Sequence, residues 1–243
     1  MATQTAPTFA VQRAGERAFF DFGWLKTHHS FSFADYYDPG NLNWGALRVF
    51  NDDTVLPGQG FGTHPHRDME IVTYVLRGEL EHRDSLGHHG VVAPGGIQYV
   101  SAGTGVRHSE FNHSREQDVH FVQMWVLPRS RGAAPAYGQH AFGEDERRNR
   151  WLVAAGGEPG VEAPVTLHAD ATLRVAKLED ATLTYAFDPV RYGFLFVADG
   201  EISANGEQLN AGDAVRMHGV RDLTVSGTGE LVLWDVPPSE GAL

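Results

Sequence analysis

The sequence predicts an all-β protein in which one β-barrel or β-sandwich occurs twice, and three observations favour this fold class. Short apolar runs are separated by turn signals about every 8–12 residues, a spacing typical of a β-sandwich or barrel. The 243 residues include 28 glycines and 12 prolines, which suit many tight turns rather than long helices. A weak internal repeat indicates that one barrel occurs twice in the chain.

In the first half of the chain, residues 8–24 predict a short strand with a turn. Residues 30–40 predict an aromatic-rich loop that ends in the Pro39-Gly40 turn. Five strand-like runs follow, bounded by Gly, Pro, Asn and Asp, over residues 45–50, 69–76, 79–84, 97–101 and 119–127.

The chain changes character over residues 129–159, which are charged or glycine-rich. We interpret this segment as a connector that carries one strand around residues 151–155. Beyond it, seven further short strands are predicted over residues 172–178, 182–187, 193–198, 201–204, 214–217, 222–226 and 230–236.

The internal repeat relates the two halves of the chain. Residues 194–202 parallel residues 71–80, because both are apolar strands that run into a Gly-Glu turn, and residues 211–213 echo residues 94–96. The later copy has no His-x-His pattern. We therefore expect residues 1–135 to form an N-terminal metal-binding domain. Residues 136–243 should form the connector and a degenerate C-terminal barrel without a metal site.

Composition narrows the classes of function. A net charge of −12 argues against a broad basic surface for nucleic acids or anionic lipids, so neither partner is expected, whereas a protein partner is compatible with it. The chain has no cysteine, so any metal must be held by His, Asp or Glu. Residues 1–17 lack the apolar core of a secretory signal, and no run approaches the ~20 apolar residues of a membrane span. A soluble, cytoplasmic protein is the expectation.

Two short motifs, His64-Pro65-His66 and His108-Ser109-Glu110, each place two metal-ligating residue types two positions apart. In a β-strand, residues i and i+2 share one face, so two such pairs on facing strands can converge on one metal ion. Proline inside the first motif is tolerated only at the start of a strand or on an edge strand.

The fourth ligand is open at this point. Asp68 and Glu70 have the same strand parity as His64 and His66, and a regular strand would aim them inward as well. Glu110 competes with Glu70 because it completes the second pair of residues two positions apart. Among the remaining histidines, His82 lies on a predicted strand, where packing in the core or at a pocket rim is the simpler interpretation.

The spacing around these motifs resembles that of the cupin family. Residues 58–78 resemble the first cupin motif, Gly-x5-His-x-His-x3-Glu-x7-Gly, and residues 105–112 resemble the end of the second. This resemblance implies an all-β bicupin fold, in which two antiparallel β-barrel domains of the jelly-roll type are packed face to face.

A narrower resemblance is to the pirin family. Residues 64–70, 81–87 and 101–110 look like its signature segments, residues 30–39 and 47–53 fit it, and the likeness is greatest to bacterial members described as quercetin 2,3-dioxygenases. The resemblance implies four metal ligands: His64, His66, His108 and Glu110. It moves Glu70 to the surroundings of the metal, where a carboxylate can orient a ligating imidazole.

What the resemblance implies for function is cleavage of a flavonol such as quercetin with O2 and release of carbon monoxide. One divalent metal ion is implied, with Fe(II) expected and Ni, Mn, Co, Cu or Zn also compatible with nitrogen and oxygen ligands. Glu110 is the candidate catalytic base for the substrate hydroxyl. Gln123, Met124 and Trp125 are candidate pocket residues, although both faces of their strand are apolar and the inward set is left open.

Two alternatives remain at the level of the sequence. Eukaryotic pirins are similar in motif and are described as iron-dependent, redox-sensing partners of transcription regulators, which would be a non-enzymatic function. A dioxygenase that acts on another aromatic substrate is the other alternative, because no residue specifies the ring system.

Overall fold

The computed structural model describes residues 7–239, which contain nineteen β-strands and two very short helices. The first twelve strands are β1 Thr8–Gln12, β2 Ala18–Asp21, β3 Leu25–His29, β4 Leu47–Val55, β5 Gly60–His66, β6 Glu70–Arg77, β7 Leu80–Asp84, β8 His89–Val92, β9 Gly96–Ser101, β10 Val106–Asn112, β11 Val119–Val126 and β12 Ala136–Ala141. The remaining strands are β13 Leu152–Gly156, β14 Val165–Thr166, β15 Thr172–Ala186, β16 Tyr192–Ala204, β17 Glu207–Asn210, β18 Ala214–His218 and β19 Asp222–Val236. The helices are a 3-10 turn, Ala14–Glu16, and α1, Glu144–Arg147.

The N-terminal barrel consists of two sheets. A four-stranded sheet has the order β5-β10-β7-β8, and a seven-stranded sheet has the order β12-β9-β6-β11-β4-β3-β2. The sheets enclose a shared apolar cluster, to which Leu80 and Val92 contribute from the small sheet and Val75 and Phe121 from the large one. The predicted ligands in β5 and β10 therefore lie in the sheet that closes this barrel.

The C-terminal barrel is one eight-stranded sheet with the order β1-β18-β16-β19-β15-β13-β14, in which β17 also pairs with β16. The predicted strands 172–178 and 182–187 are one bent strand, β15, and β16 and β19 likewise each join two predicted strands. The ladder between β15 and β19 continues across a register shift between Leu178 and Ala181. An irregularity of this kind bends a strand without ending it. The turn residues at the bend explain why two separate strands were predicted from the sequence.

The outer face of the seven-stranded sheet packs against the C-terminal sheet. The ring of Phe50 lies 4.8 Å from that of Phe194 and 4.9 Å from that of Phe196, measured between ring centroids. The indole nitrogen of Trp234 donates a hydrogen bond to the sulfur of Met124 at 2.9 Å. The predicted all-β bicupin architecture, with its barrels face to face, is confirmed.

The internal repeat has an equivalent contact in each barrel. The backbone N–H of Gly95 donates to the carbonyl of Val75 at 2.8 Å, and that of Gly212 donates to Val197 at the same distance. These are the residues that the repeat aligns. Both glycines have a positive φ, 80° and 87°, which glycine adopts without steric cost.

Hydrogen bonds between strands cross the predicted domain boundary after residue 135 in both directions. β1, near the N-terminus, pairs with β18 of the C-terminal sheet, and β12 in the predicted connector pairs with β9 of the N-terminal barrel. Each strand extends along the edge of a sheet whose backbone groups would otherwise be unpaired. Within residues 7–239, no helix is long and apolar enough to cross a membrane.

Candidate metal centre

β5 and β10 bring the two sequence motifs side by side. The strands are antiparallel, and His108 pairs directly with His64. Burial alternates along β10, so that His108 and Glu110 are buried while Arg107 and Phe111 are exposed. β5 is the edge strand of its sheet, which explains why a proline between the two ligand positions is tolerated.

A bulge sets the position of Glu110. Between His108 and Glu110 the partner on β5 changes from His64 to Phe61, so β5 contains one more residue than β10 over this interval. A methyl group on Gly60 would clash with the backbone oxygen of Glu110. Glycine at position 60 therefore lets the two strands approach closely at the point where the carboxylate enters the barrel.

Three imidazoles converge at the motif residues. The ring centroids of His64, His66 and His108 are 4.5–4.8 Å apart, and their candidate ligand atoms all lie within 4.8 Å of one another. Burial and the neighbouring histidines lower the pKa of His66 and of His108 to about 3. Both rings are thus neutral at physiological pH, which is the form that binds a metal ion.

Hydrogen bonds identify the nitrogen that carries the proton on two of these rings. The Nδ1 atom of His64 lies 2.8 Å from the carbonyl of Gly62 and must donate, because a carbonyl oxygen only accepts. The Nε2 atom of His82 donates to Asp84 at 3.3 Å, which leaves the Nδ1 atom of His82 to accept from Nδ1 of His108, also at 3.3 Å. Nε2 of His108 therefore has a free lone pair, and Nε2 of His64 is the nitrogen of that ring left to bind a cation.

These two Nε2 atoms are 3.0 Å apart. Two lone pairs at that distance repel each other unless a cation lies between them. Nitrogens bound to one metal ion at about 2.1 Å and at a right angle would lie roughly 3 Å apart. The donor set of His64 and His108 therefore fits a bound metal ion, and the outer nitrogens are held in the manner common for metal-ligating histidines.

Glu110 is buried and held by two amides. Its carboxylate accepts hydrogen bonds from the side chains of Gln98 and Gln123, the latter at 2.7 Å, and burial raises its pKa. One of its oxygens lies within 4.8 Å of candidate ligand atoms on both His82 and His108. This second group, His82, His108 and Glu110, shares only His108 with the group of His64, His66 and His108. The two groups together form a cluster of histidines and carboxylate that is compatible with one metal ion.

Glu70 faces a different part of the molecule. It accepts hydrogen bonds from Tyr99, from the hydroxyl of Ser101 at 2.7 Å and from the backbone N–H of His168 at 2.8 Å. None of these bonds orients a motif histidine, and the last joins Glu70 to the C-terminal half. Glu70 was expected to point inward because it shares the strand parity of His64 and His66. That expectation fails because the strand is interrupted: Asp68, with φ +48°, separates β5 from β6.

A cavity of about 370 Å³ opens beside the cluster, and its lining includes His64, His66 and Glu110. Its walls are largely aromatic, with contributions from Phe20, Phe22, Trp24, Phe33, Phe61 and Trp125. Its polar lining includes Thr27, His29, Asn51, Asp53 and Gln123. The volume lies in the range of small-molecule sites, about 300–1,000 Å³.

Of the three pocket candidates, Gln123 and Trp125 line the cavity and Met124 does not. Met124 is on the opposite face of β11 and is buried against Trp234 of the other barrel, so its prediction as a pocket residue was wrong. Strand alternation makes the two neighbours of Met124 the inward pair.

Sequence reasoning did not assign the aromatic residues of the N-terminal hairpin to the pocket. Phe20 lies in β2, Phe22 and Trp24 lie in the turn between β2 and β3, and the aromatic loop adds Phe33. The alternation of the first three residues is a signal that could have indicated a common face.

His82 was interpreted as a core or rim residue, and the structure places it fully buried against His108.

Two β-barrels packed face to face, with a His/carboxylate cluster in the N-terminal one, define a bicupin. Residues 10–126 match the family model described as Pirin, and residues 151–234 match the model described as Quercetinase C-terminal cupin domain. The chain belongs to the pirin family.

Individual relatives and structures agree with this assignment. The chain is 43% identical over 218 residues to the Pirin-like protein of Caulobacter vibrioides, covering 88% of this chain and 94% of the relative. It is 38% identical over 231 residues to the quercetin 2,3-dioxygenase of Escherichia coli K12, covering 94% and 98% respectively. The crystal structure of the bacterial pirin YhhW from Escherichia coli, in complex with nickel(II), matches with a TM-score of 0.88 and 36% identity, over 95% of this chain and 100% of that one.

Proposed function

We propose that this pirin is a metal-dependent dioxygenase that cleaves a flavonol such as quercetin with O2 and releases carbon monoxide. The observation that carries the proposal is the pair of Nε2 atoms, 3.0 Å apart, beside a cavity of about 370 Å³ with largely aromatic walls. A metal site without such a cavity would suit a structural role. The quercetin 2,3-dioxygenase named among the relatives supports the choice of substrate.

The proposed ligands are His64, His66, His108 and Glu110, and the proposed metal is Fe(II). Three imidazole nitrogens and one carboxylate oxygen are a donor set that would suit redox-active first-row metals. The nickel(II) complex of YhhW supports metal binding by a site of this kind. When bound, the ion would supply Lewis-acid activation of the substrate and a template for its orientation.

The residues of the chain would position the substrate and accept its proton. Flat aromatic walls, among them Phe33 and Trp125, suit the planar rings of a flavonol. Glu110 lines the same cavity, and Gln123 fixes the orientation of its carboxylate. We assign Glu110 the role of base: one of its carboxylate oxygens would accept the proton of the substrate hydroxyl. Loss of that proton makes the ring electron-rich enough to react with O2.

The test is an oxygen-uptake assay on protein loaded anaerobically with each first-row metal in turn. We expect consumption of O2 and release of carbon monoxide with quercetin, greatest with Fe(II), and loss of both in His108→Ala. His140→Gln serves as the matched control, because His140 is exposed and distant in sequence from the cluster. Absence of turnover with every metal would overturn the proposal.

A further inference from the structure

A row of polar side chains crosses the inner face of the seven-stranded sheet. Direct cross-strand pairs join neighbouring strands in the order β3, β4, β11, β6 and β9. The paired residues are His29, Asn51, Gln123, Thr73 and Gln98, and all five are buried. Buried polar residues at five consecutive positions across a sheet are costly and need an explanation.

One end of this row serves the metal centre, because Gln98 and Gln123 hold Glu110. The other end faces the cavity through Asn51 and His29. Asp53 lies two residues beyond Asn51 on the same face of β4 and pairs directly with Thr27 of β3. Thr27 and Asp53 line the cavity as well.

Four side chains at this end have polar atoms without a hydrogen-bond partner in residues 7–239. They are the hydroxyl of Thr27, Nδ1 of His29, Oδ1 of Asn51 and Oδ1 of Asp53, each on a residue that is no more than 4% exposed. Asp53 also forms no ion pair in this part of the chain. Nearby polar groups that need partners, in the lining of an otherwise apolar cavity, are what a site for a polar ligand group provides.

The carboxyl group of Asp53 can serve as donor or acceptor. Burial raises its pKa to about 7, against the opposing effect of the Thr27 hydroxyl beside it, so that both protonation states are populated near neutral pH. A hydroxyl group likewise donates one hydrogen bond and accepts others. The two groups are therefore complementary in either protonation state of Asp53.

We infer that Thr27, Asn51 and Asp53 form a subsite that hydrogen-bonds a ring hydroxyl of the substrate, other than the hydroxyl that is directed to the metal. This inference rests on the proposed function. Two residues along a strand span about 7 Å, so Asp53 is displaced from the row that holds Glu110 by a distance comparable to a fused two-ring system. A polyhydroxylated flavonol can then reach both ends of the cavity.

The test compares two ligands that share the hydroxyl directed to the metal. Quercetin carries further ring hydroxyls, and 3-hydroxyflavone carries no hydroxyl other than the shared one. Binding of each is measured without O2 on metal-loaded protein, by isothermal titration calorimetry. We expect the wild-type protein to bind quercetin roughly tenfold more tightly, because a site that hydrogen-bonds a hydroxyl group discriminates against the analogue that lacks it.

Two variants test the subsite residues. Asp53→Leu and Thr27→Val should each reduce the preference for quercetin several-fold while changing the affinity for 3-hydroxyflavone less than about twofold. Thr54→Val is the matched control, since Thr54 is on the other face of β4 and should keep the wild-type preference. A thermal melt verifies that each variant is folded, and Thr27→Val replaces Asp53→Leu if the latter does not fold.

An unchanged preference in folded variants would overturn the inference, and so would an equal loss of affinity for both ligands, which indicates general damage to the pocket. Failure of the proposed function looks different, because the wild-type protein would then bind neither flavonol.

Discussion

The Nδ1 atom of His82 lies 3.3 Å from Nδ1 of His108, whose Nε2 atom faces His64. Asp84 accepts from the other nitrogen of His82 and, at 2.8 Å, from Nδ1 of His88. Burial disfavours ionisation of Asp84, but its hydrogen bonds, chiefly from His88, outweigh burial and lower its pKa. A charged carboxylate thus fixes the ring of His108 through an intervening histidine.

His82→Phe should weaken metal binding by roughly tenfold, the lower part of the range for residues that orient a ligand. Phenylalanine keeps a ring stacked on Tyr137, whose centroid is 4.4 Å away, and removes only the nitrogens. Competition with a chelator measures the affinity, and His140→Gln is the control. Unchanged affinity in His82→Phe would show that His82 has a packing role only.

Glu110→Gln should reduce metal occupancy strongly, whereas Glu70→Gln should leave it nearly unchanged. Glu70 binds Tyr99, Ser101 and the backbone of His168, so we expect its variant to lower the melting temperature instead. Elemental analysis of protein purified without a histidine tag gives the occupancy. The reverse order of occupancy would assign the fourth ligand to Glu70, as in the first cupin motif.

Asp52→Asn should cost roughly 2 kcal/mol of unfolding free energy at neutral pH. Burial disfavours the charged form of Asp52, but the hydrogen bond from His120 and the charge of Arg17 outweigh it and lower the pKa from 3.8 to about 2. One pH unit corresponds to 1.36 kcal/mol, and a lowered carboxyl pKa stabilises the fold above the unfolded value. The contribution should disappear as the pH falls from about 4 to 2, which denaturant melts can follow. Asp222→Asn, at an exposed site, should show no such loss.

Asp53→Asn should have the opposite pH dependence. The pKa of Asp53 is raised from 3.8 to about 7, so the unfolded chain releases this proton first and the wild-type fold loses stability as the pH rises between those values. The variant does not titrate, and its stability relative to wild type should rise by roughly 3 kcal/mol between pH 5 and pH 8. Chemical denaturation at the two values measures the change. A difference that is the same at both would contradict a raised pKa.

The strands and the cluster could be predicted because both depend on local sequence. Apolar runs and i, i+2 pairs express the alternation of a strand, and this alternation holds from His64 to His66 in β5 and along β10. The argument from parity failed at Asp68, where a single residue with positive φ ends the strand. Such a conformation is uncommon outside glycine and has no reliable signal in one sequence.

The pocket could be predicted only in part, because it depends on register. His29 and Gln98 belong to one row, yet no sequence pattern links them, since their relation arises from four successive strand pairings. The inward face of β11 was ambiguous for a related reason. One face of that strand lines the cavity and the other packs against the second barrel. Both faces therefore carry apolar residues, and Met124 and Trp125 cannot be told apart by sequence.

The pairing of β1 with β18 has a consequence for how the protein is made. Thr8 pairs with His218, so β1 leaves the ribosome well before β18 and has to wait for that strand before it can dock. The N-terminal barrel can assemble earlier, since its strands lie within residues 18–141. Attachment of β1 then links a segment that precedes the N-terminal barrel to the C-terminal sheet, and a protease that cuts the connector leaves two fragments still held by this ladder.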